Sequence, residues 1–276
     1  MVDEGAAPQR QWLVKYDGVC SRCGTSLLRG VPAIWDRATR SIHCVECPSF
    51  LPENAPIDFD PGVAGTSAMD EHHRRKAKRD AAIDDRFGQR FGRVVRAVTP
   101  EPQSTRAWAI GAEGEIKLAA SLAQLSGITV LHDRHILGKR SNIDHIVVAP
   151  AGVFVVDAKH YQGAIEIRNK GWLLRPDQRL YVGGRDCSRM AHDMAWQVEA
   201  VSSVLEAANL DSMPAITPVL CFIDGTWPIF ARPETYAGVR LESHRSVRKL
   251  VTRSGDLKPE QVGHLAAVIA KGLPSK

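Results

Sequence analysis

Two runs rich in β-formers, Ile143–Ala149 and Gly152–His160, flank Pro150-Ala151 and predict a β-hairpin. Alternate residues of a strand share a face. Asp144, Ile146 and Val148 therefore project together from the first strand. On the second, Val153, Val155, Asp157 and Lys159 project one way, and Phe154, Val156, Ala158 and His160 the other. A turn centred on Pro150-Ala151 puts Ala149 opposite Gly152, and counting back puts Asp144 opposite Asp157. Opposed side chains have Cβ atoms about 4.5–5.5 Å apart, and Lys159 lies roughly 7 Å further along the face of Asp157. Two carboxylates and a lysine would thus converge beside strands too apolar to leave a face in water. His145 and His160 project away from this acidic face.

The remaining pattern alternates helices and short strands. Ser67–Phe91 reads as a charged helix, broken by Thr99-Pro-Glu-Pro102. A second helix lies within Ser104–Leu125, with Ser104 as its N-cap and Gly111-Ala-Glu-Gly-Glu115 preceding or interrupting it. Glu115 stands at i relative to Leu118, Leu122 and Leu125 at i+3, i+7 and i+10, on the apolar stripe. A carboxylate there needs a partner, whereas Glu113 falls off the stripe and is expected in solvent. Thr129–His132, Ile165–Arg168, Thr217–Ile223 and Val239–Glu242 read as strands, and Gly138-Lys-Arg-Ser141 as a basic loop. Arg185–Ala208 is expected to be a helix with Met190, Met194, Val198, Val201 and Leu205 on one side and Gln197 beside that stripe, at a core edge or within reach of a phosphate. Val247–Val251 and Pro259–Lys271 are closing amphipathic helices.

Composition narrows the classes. The 276 residues allow one large domain or a domain plus a small module. The formal charge of +5 and pI near 8.9 are compatible with a polyanionic partner. No apolar run approaches the roughly 18 residues of a membrane span, and Met1-Val-Asp-Glu4 lacks a signal-peptide pattern, so the expectation is a cytoplasmic protein. Cysteines in a reducing compartment point to metal more than to disulfides. Cys20-Ser-Arg-Cys23 and Cys44-Val-Glu-Cys47 have the spacing of a four-thiolate structural zinc site, with strand-like Val31–Trp35 and Ser41–His43 between the knuckles. Cys187 and Cys221 read as packing residues. Leu51–Gly65, with three prolines, reads as a linker. The run His72–Arg79 either contacts phosphates or forms a solvated helix face. The boundaries expected are a zinc-ribbon-like module at 12–50, a linker with a charged helix at 51–103, and a main domain at 104–276. The carboxylates of the hairpin are hard oxygen ligands, suited to Mg²⁺ or Mn²⁺.

Gly111-Ala-Glu-Gly-Glu115, Asn142-Ile-Asp-His-Ile-Val-Val148 and Val155-Val-Asp-Ala-Lys-His-Tyr-Gln-Gly163 together resemble the nuclease-related domain, NERD, which is similar to the PD-(D/E)xK nucleases. The resemblance covers roughly residues 104–225. It implies an α/β, restriction-endonuclease-like core, a mixed β-sheet flanked by helices. It implies Glu115 as the helix acid, Asp144 as the central metal aspartate, Asp157 and Lys159 as the D-x-K pair, and Gln197 as the helix glutamine. The RecB-like branch carries tyrosine four residues after that glutamine; Val201 stands here. The activity implied is metal-dependent hydrolysis of DNA, endo- or exonucleolytic, with Lys159 positioning or helping to deprotonate the attacking water. The competing class is a non-catalytic zinc-containing adaptor that binds nucleic acid or protein in DNA processing or defence.

Overall fold

The computed structural model describes residues 11–21, 26–36, 41–45, 59–136, 138–139, 141–172, 175–210, 212–228 and 234–276. The chain divides into two compact units, Met1–Pro56 and Ile57–Lys276.

The small unit contains β1 (Gln11–Leu13), β2 (Gly18–Val19), β3 (Ser26–Leu27), β4 (Pro32–Asp36) and β5 (Ser41–Cys44). β1, β4 and β5 form an antiparallel sheet, and β2 pairs with β3. The two strands expected between the knuckles are β4 and β5. Val14, Cys20, Leu27 and Ala33 make a four-residue core, with Cys44 packed against it. So small a core contributes little stability without a staple.

The large unit begins with α1 (Thr66–Val98) and α2 (Gln103–Leu122). α1 runs further than the hydrophobic pattern indicates, because Gly88, at φ 72 and ψ 158, breaks it into two pieces instead of ending it. The pieces fold together: a Cβ on Gly92 would meet Asp84, and Arg96 pairs with Asp84. α2 starts one residue before Ser104, with Pro102 in the N-cap position and no side-chain cap. Its Gly-rich stretch is wholly helical, so the glycines neither precede nor interrupt the helix.

Then follow β6 (Thr129–His135), β7 (Asn142–Ala149), β8 (Gly152–Lys159), β9 (Gly163–Asn169), β10 (Gln178–Val182), β11 (Arg185–Asp186), α3 (Ser188–Ala207), β12 (Ile216–Phe222), β13 (Gly225–Thr226), β14 (Thr235–Tyr236), β15 (Val239–Ser243), α4 (His244–Val251) and α5 (Pro259–Gly272). The expected helix from Arg185 begins only at Ser188, since Arg185 and Asp186 pair with β10. The main sheet has the order β14-β15-β12-β8-β7-β6 and is mixed: β12 lies parallel to both β8 and β15, and β6, β7 and β8 are antiparallel. β9, β10, β11 and β13 form a second sheet that leaves the first directly after β8.

β8 is central, so both of its faces are covered and its sequence is a nearly unbroken apolar run. On one face Val147, Phe154, Val156 and Val219 meet Leu118 and Leu122 of α2 and Val247 and Val251 of α4. On the other, Ile146, Val148, Val153, Val155 and Leu220 meet Met194, Val201 and Leu205 of α3 and Val262, Leu265 and Ile269 of α5. Ala149 does pair with Gly152. The turn between them is gripped from outside. The Leu257 N–H donates to the Pro150 carbonyl (3.1 Å), and a Cβ on Gly255 would stand 2.1 Å from that same oxygen.

Candidate active site

The β7–β8 ladder ends at His145↔Val156. Beyond that pair the strands follow different neighbours: β7 continues along β6 through Ile143 and Asn142, and β8 along β12 through Lys159. Asp144 and Asp157 occupy the first positions past the end of the ladder. The Ala158 N–H, beyond the ladder's end, donates to Asp144 Oδ2 (3.1 Å). Lys159 Nζ lies 2.5 Å from Asp157 Oδ1. The contact is a close, buried ion pair.

Glu115 arrives from α2. Gly114 lets the helix approach the end of β8, since a Cβ there would sit 3.1 Å from the Cβ of His160. His160 fastens the same junction through Nδ1 to the Ile110 carbonyl (2.9 Å) and Nε2 to Asp224 (2.5 Å). Glu115 is 7% exposed, and its partner is the Gly65 N–H, which donates to Oε2 (3.1 Å). Gly65 takes φ 80 at the N-cap of α1, where a Cβ would stand 3.1 Å from the Ala112 carbonyl. Glycine meets both demands, a positive φ and close backbone approach.

A further acid belongs to this neighbourhood, and the sequence pattern missed it. Asp133 is 1% exposed and has φ 48. It lies between the register pairs His132↔His145 and Arg134↔Ile143, which places it opposite Asp144. Its carboxylate accepts from the Ser67 N–H (2.6 Å) and from Asn142 Nδ2 (2.5 Å). The first turn of α1 thus donates one N–H to Glu115 and another to Asp133, at the end of the helix whose partial charge suits anions. The expected linker Leu51–Gly65 lies outside the described residues over 51–58; its last residues pack on the site.

Burial and neighbouring charge together set the electrostatics. Burial pushes Glu115 up to about 7, and the carboxylates of Asp133 and Asp157 add to the rise. Asp144 keeps some accessible surface, yet burial of its carboxyl, followed by the charges of Glu115 and Asp157, raises it well above the usual range. For Lys159, burial works against the ammonium, but Asp157 and Asp144 outweigh it and raise the pKa. The sign for stability follows from Glu115. An unfolded glutamate ionises near 4.5, while the folded one holds its proton to about 7. Over that interval the folded state binds the extra proton, so stability falls as pH rises, by about 3 kcal/mol at most. In EDTA, the urea midpoint is therefore expected to drop between pH 5 and pH 7.5, and Glu115→Gln to flatten the slope. A midpoint that rises over this range would contradict the assignment.

Of the residues singled out in the sequence, Glu115, Asp144, Asp157 and Lys159 are brought together. Gln197 is on the buried face of α3 rather than beside it and is 4% exposed. It makes no hydrogen bond to those four among the described residues, and its Oε1 has no hydrogen-bond partner there. Glu113 is exposed, and Cys187 and Cys221 are buried as packing residues. His132 and His145, which show no ligand spacing in sequence, meet through their Nδ1 atoms at 2.8 Å on the opposite face of the sheet. Burial, then the neighbouring ring, holds His145 down to about 3.

Among the described residues no three His, Cys, Asp or Glu side chains are arranged around one point as a bound metal ion requires. The donor chemistry still fits a hard divalent cation. The carboxylates of Glu115, Asp144 and Asp157 are oxygen donors, and each of the first two is destabilised as an anion by burial and then by its neighbours. In the small unit, Cys20 is 2% exposed and its Sγ accepts from the Cys44 N–H (3.3 Å). Cys23 and Cys47 lie outside the described residues.

A mixed sheet flanked by helices is consistent with a restriction-endonuclease-like fold. The family model of NERD, the nuclease-related domain, matches residues 110–223, which contain Glu115, Asp133, Asp144, Asp157, Lys159 and Gln197. Neither the curated proteins nor the solved structures contain a match to the chain. No helix among the described residues is long and apolar enough to cross a membrane.

Proposed function

We propose that this protein hydrolyses phosphodiester bonds in DNA with the help of Mg²⁺ or Mn²⁺. The observation that carries the reading is the Lys159–Asp157 ion pair in electrostatic contact with Asp144 and Glu115, within a segment that matches a nuclease-related family. Glu115, Asp144 and Asp157 would hold the ion. When bound, it would supply a Lewis acid for the phosphoryl oxygen and a lowered pKa for a water molecule. Lys159, held cationic by its carboxylate neighbours, would place positive charge against the phosphate as negative charge builds up there. Its raised pKa favours this role over proton abstraction from water. Gln197, with a buried amide oxygen unengaged, would orient a ligand from the α3 side. Ser67 and Gly65 would keep Asp133 and Glu115 in place. The same reading assigns a structural zinc ion to Cys20, Cys23, Cys44 and Cys47, and a location in the cytoplasm.

The test is incubation of the full chain with linear, circular and single-stranded DNA in Mg²⁺, Mn²⁺ or EDTA. Cleavage that appears with the divalent ion and stops with EDTA is the expected result. Binding that weakens with salt, ignores EDTA and yields no product would instead identify a nucleic-acid-binding adaptor.

A further inference from the structure

The β9–β10 hairpin starts four residues after Lys159 and carries a feature that packing does not explain. Trp172, at its tip, is 85% exposed. The backbone around it is pinned. Asn169 Oδ1 accepts from the N–H groups of Gly171 (3.0 Å) and Asp177 (2.9 Å), and the Lys170 N–H donates to the Asp177 carbonyl (2.8 Å). The Arg175 N–H returns to the Trp172 carbonyl (2.8 Å), and Trp172 and Arg175 form an antiparallel bridge. Gly171 has no room for a side chain, because a Cβ would lie 2.0 Å from the Arg175 carbonyl. A large indole is therefore presented from backbone that is hydrogen-bonded at Gly171, Trp172 and Arg175.

The surroundings are cationic. The register Arg179↔Arg168 and Tyr181↔Glu166 sets these side chains on the hairpin's outer face, opposite buried Ile165, Leu180 and Val182. Arg168 and Lys170 lie 4.6 and 5.6 Å from the Tyr181 ring centroid. Glu166 pairs with Arg168, and Asp177 and Asp186 with Arg179. Lys170 and Arg175 make no ion pair among the described residues. Against three acids, Glu166, Asp177 and Asp186, residues 163–186 carry five cations, Arg168, Lys170, Arg175, Arg179 and Arg185.

We infer that the tip of the β9–β10 hairpin is a stacking platform for an unpaired base of a nucleic-acid strand, with Trp172 against the base and Lys170 and Arg175 against the flanking phosphates. An exposed aromatic ring flanked by cations that make no ion pair among the described residues suits base stacking on a polyanion. A duplex covers its base faces everywhere except at its ends, so such a ring favours single strands, overhangs and frayed ends. β9 follows Lys159 in the chain, and the strand stacked on the platform would be the one the site cuts. The inference rests on the nuclease reading for its choice of polyanion, and it names the form of substrate that reading leaves open.

The test is fluorescence anisotropy with the full chain in EDTA, where cleavage plays no part. The probes are a labelled single-stranded 20-mer, the matching blunt duplex, and vesicles of phosphatidylglycerol and phosphatidylcholine. The single strand is expected to bind about tenfold more tightly than the duplex. Trp172→Ala should remove about tenfold of single-strand affinity with less than a twofold change for the duplex, and Trp172→Phe should restore most of the loss. Lys170→Ala and Arg175→Ala should each reduce the dependence of log affinity on log salt. Trp172→Ala binding the single strand as well as wild type would overturn the inference, as would preference for duplex or vesicles. Cleavage is scored separately. Trp172-dependent binding without hydrolysis would sink the nuclease reading alone, and hydrolysis with Trp172-independent binding would sink the platform alone.

Discussion

Replacing Asp157 by Asn, or Lys159 by Gln, is expected to lower Mg²⁺-dependent DNA cleavage by at least about 10³-fold while leaving binding in EDTA within about threefold of wild type. The size follows from position. Asp157 is buried at the end of the ladder, with Oδ1 2.5 Å from the lysine and in electrostatic contact with Glu115 and Asp144. Losing its charge removes a ligand and the counter-charge of Lys159 at once. A single preorganised electrostatic contact to a transition state is worth about 10²–10³ in rate, and removal of a ligand compounds that. Asn and Gln keep the volume, so circular dichroism and the thermal midpoint check that the fold survives. Lys159→Gln separates charge from shape: the carboxylates lose their ammonium, so half-maximal cleavage should need no more Mg²⁺ than in wild type while the maximal rate falls. Two variants cutting at the wild-type rate would refute the assignment.

The largest effect on stability is expected from Arg134→Leu. This arginine is 1% exposed and spends its whole fork on carbonyls. Nε donates to Leu273 (2.6 Å), Nη2 to Ala270 (2.8 Å) and Nη1 to Asp60 (2.8 Å). Two of those acceptors close the C-terminal turn of α5, where a positive charge is favoured. Leucine would fill part of the space but leave buried carbonyls without donors. The expected loss is about 3–5 kcal/mol, or about 6–15 °C in thermal midpoint for a unit of this size. Because Asp60 precedes the Gly65–Ser67 turn that holds Glu115 and Asp133, the variant should lose cleavage activity as well. A shift of less than about 1 kcal/mol, measured as urea midpoint at unchanged slope, would show that water or repacking replaces the lost bonds.

Much of this was legible in the residues themselves. The β7–β8 pairing was readable because a two-residue turn between two apolar runs admits one register that buries both. That register carries Asp144 and Asp157 to the same place. Glu115 was readable because a lone acid on a leucine stripe has to be answered by something. What answered it was not readable. Gly65 lies fifty residues upstream (115 − 65) in a stretch with the composition of a linker, and backbone N–H groups leave no trace in a side-chain pattern. Asp133 was hidden for another reason. It is an unpaired position inside β6, at a left-handed φ, and its carboxylate is held by hydrogen bonds from Ser67 and Asn142 that no side-chain pattern announces. β10 and β11 were missed because exposed Arg179 and Arg185 dilute their period. A helix begun at Arg185 is plausible until the pairing of Arg185 with Val182 is seen. Gly88 reads as an ordinary helix weakness, although it reverses the chain.

The gripped turn at Pro150-Ala151 has a consequence for how this domain can vary. Surface turns usually absorb length change without harm. One extra residue here would swap inside for outside along a strand, and the Pro150 carbonyl, already bonded by Leu257 and crowded by Gly255, leaves no slack to hide it. The thirteen-residue step between the two aspartates (157 − 144) therefore acts as a ruler cut into the chain. Relatives that keep the chemistry would have to keep that step, and would show their gains and losses of length elsewhere.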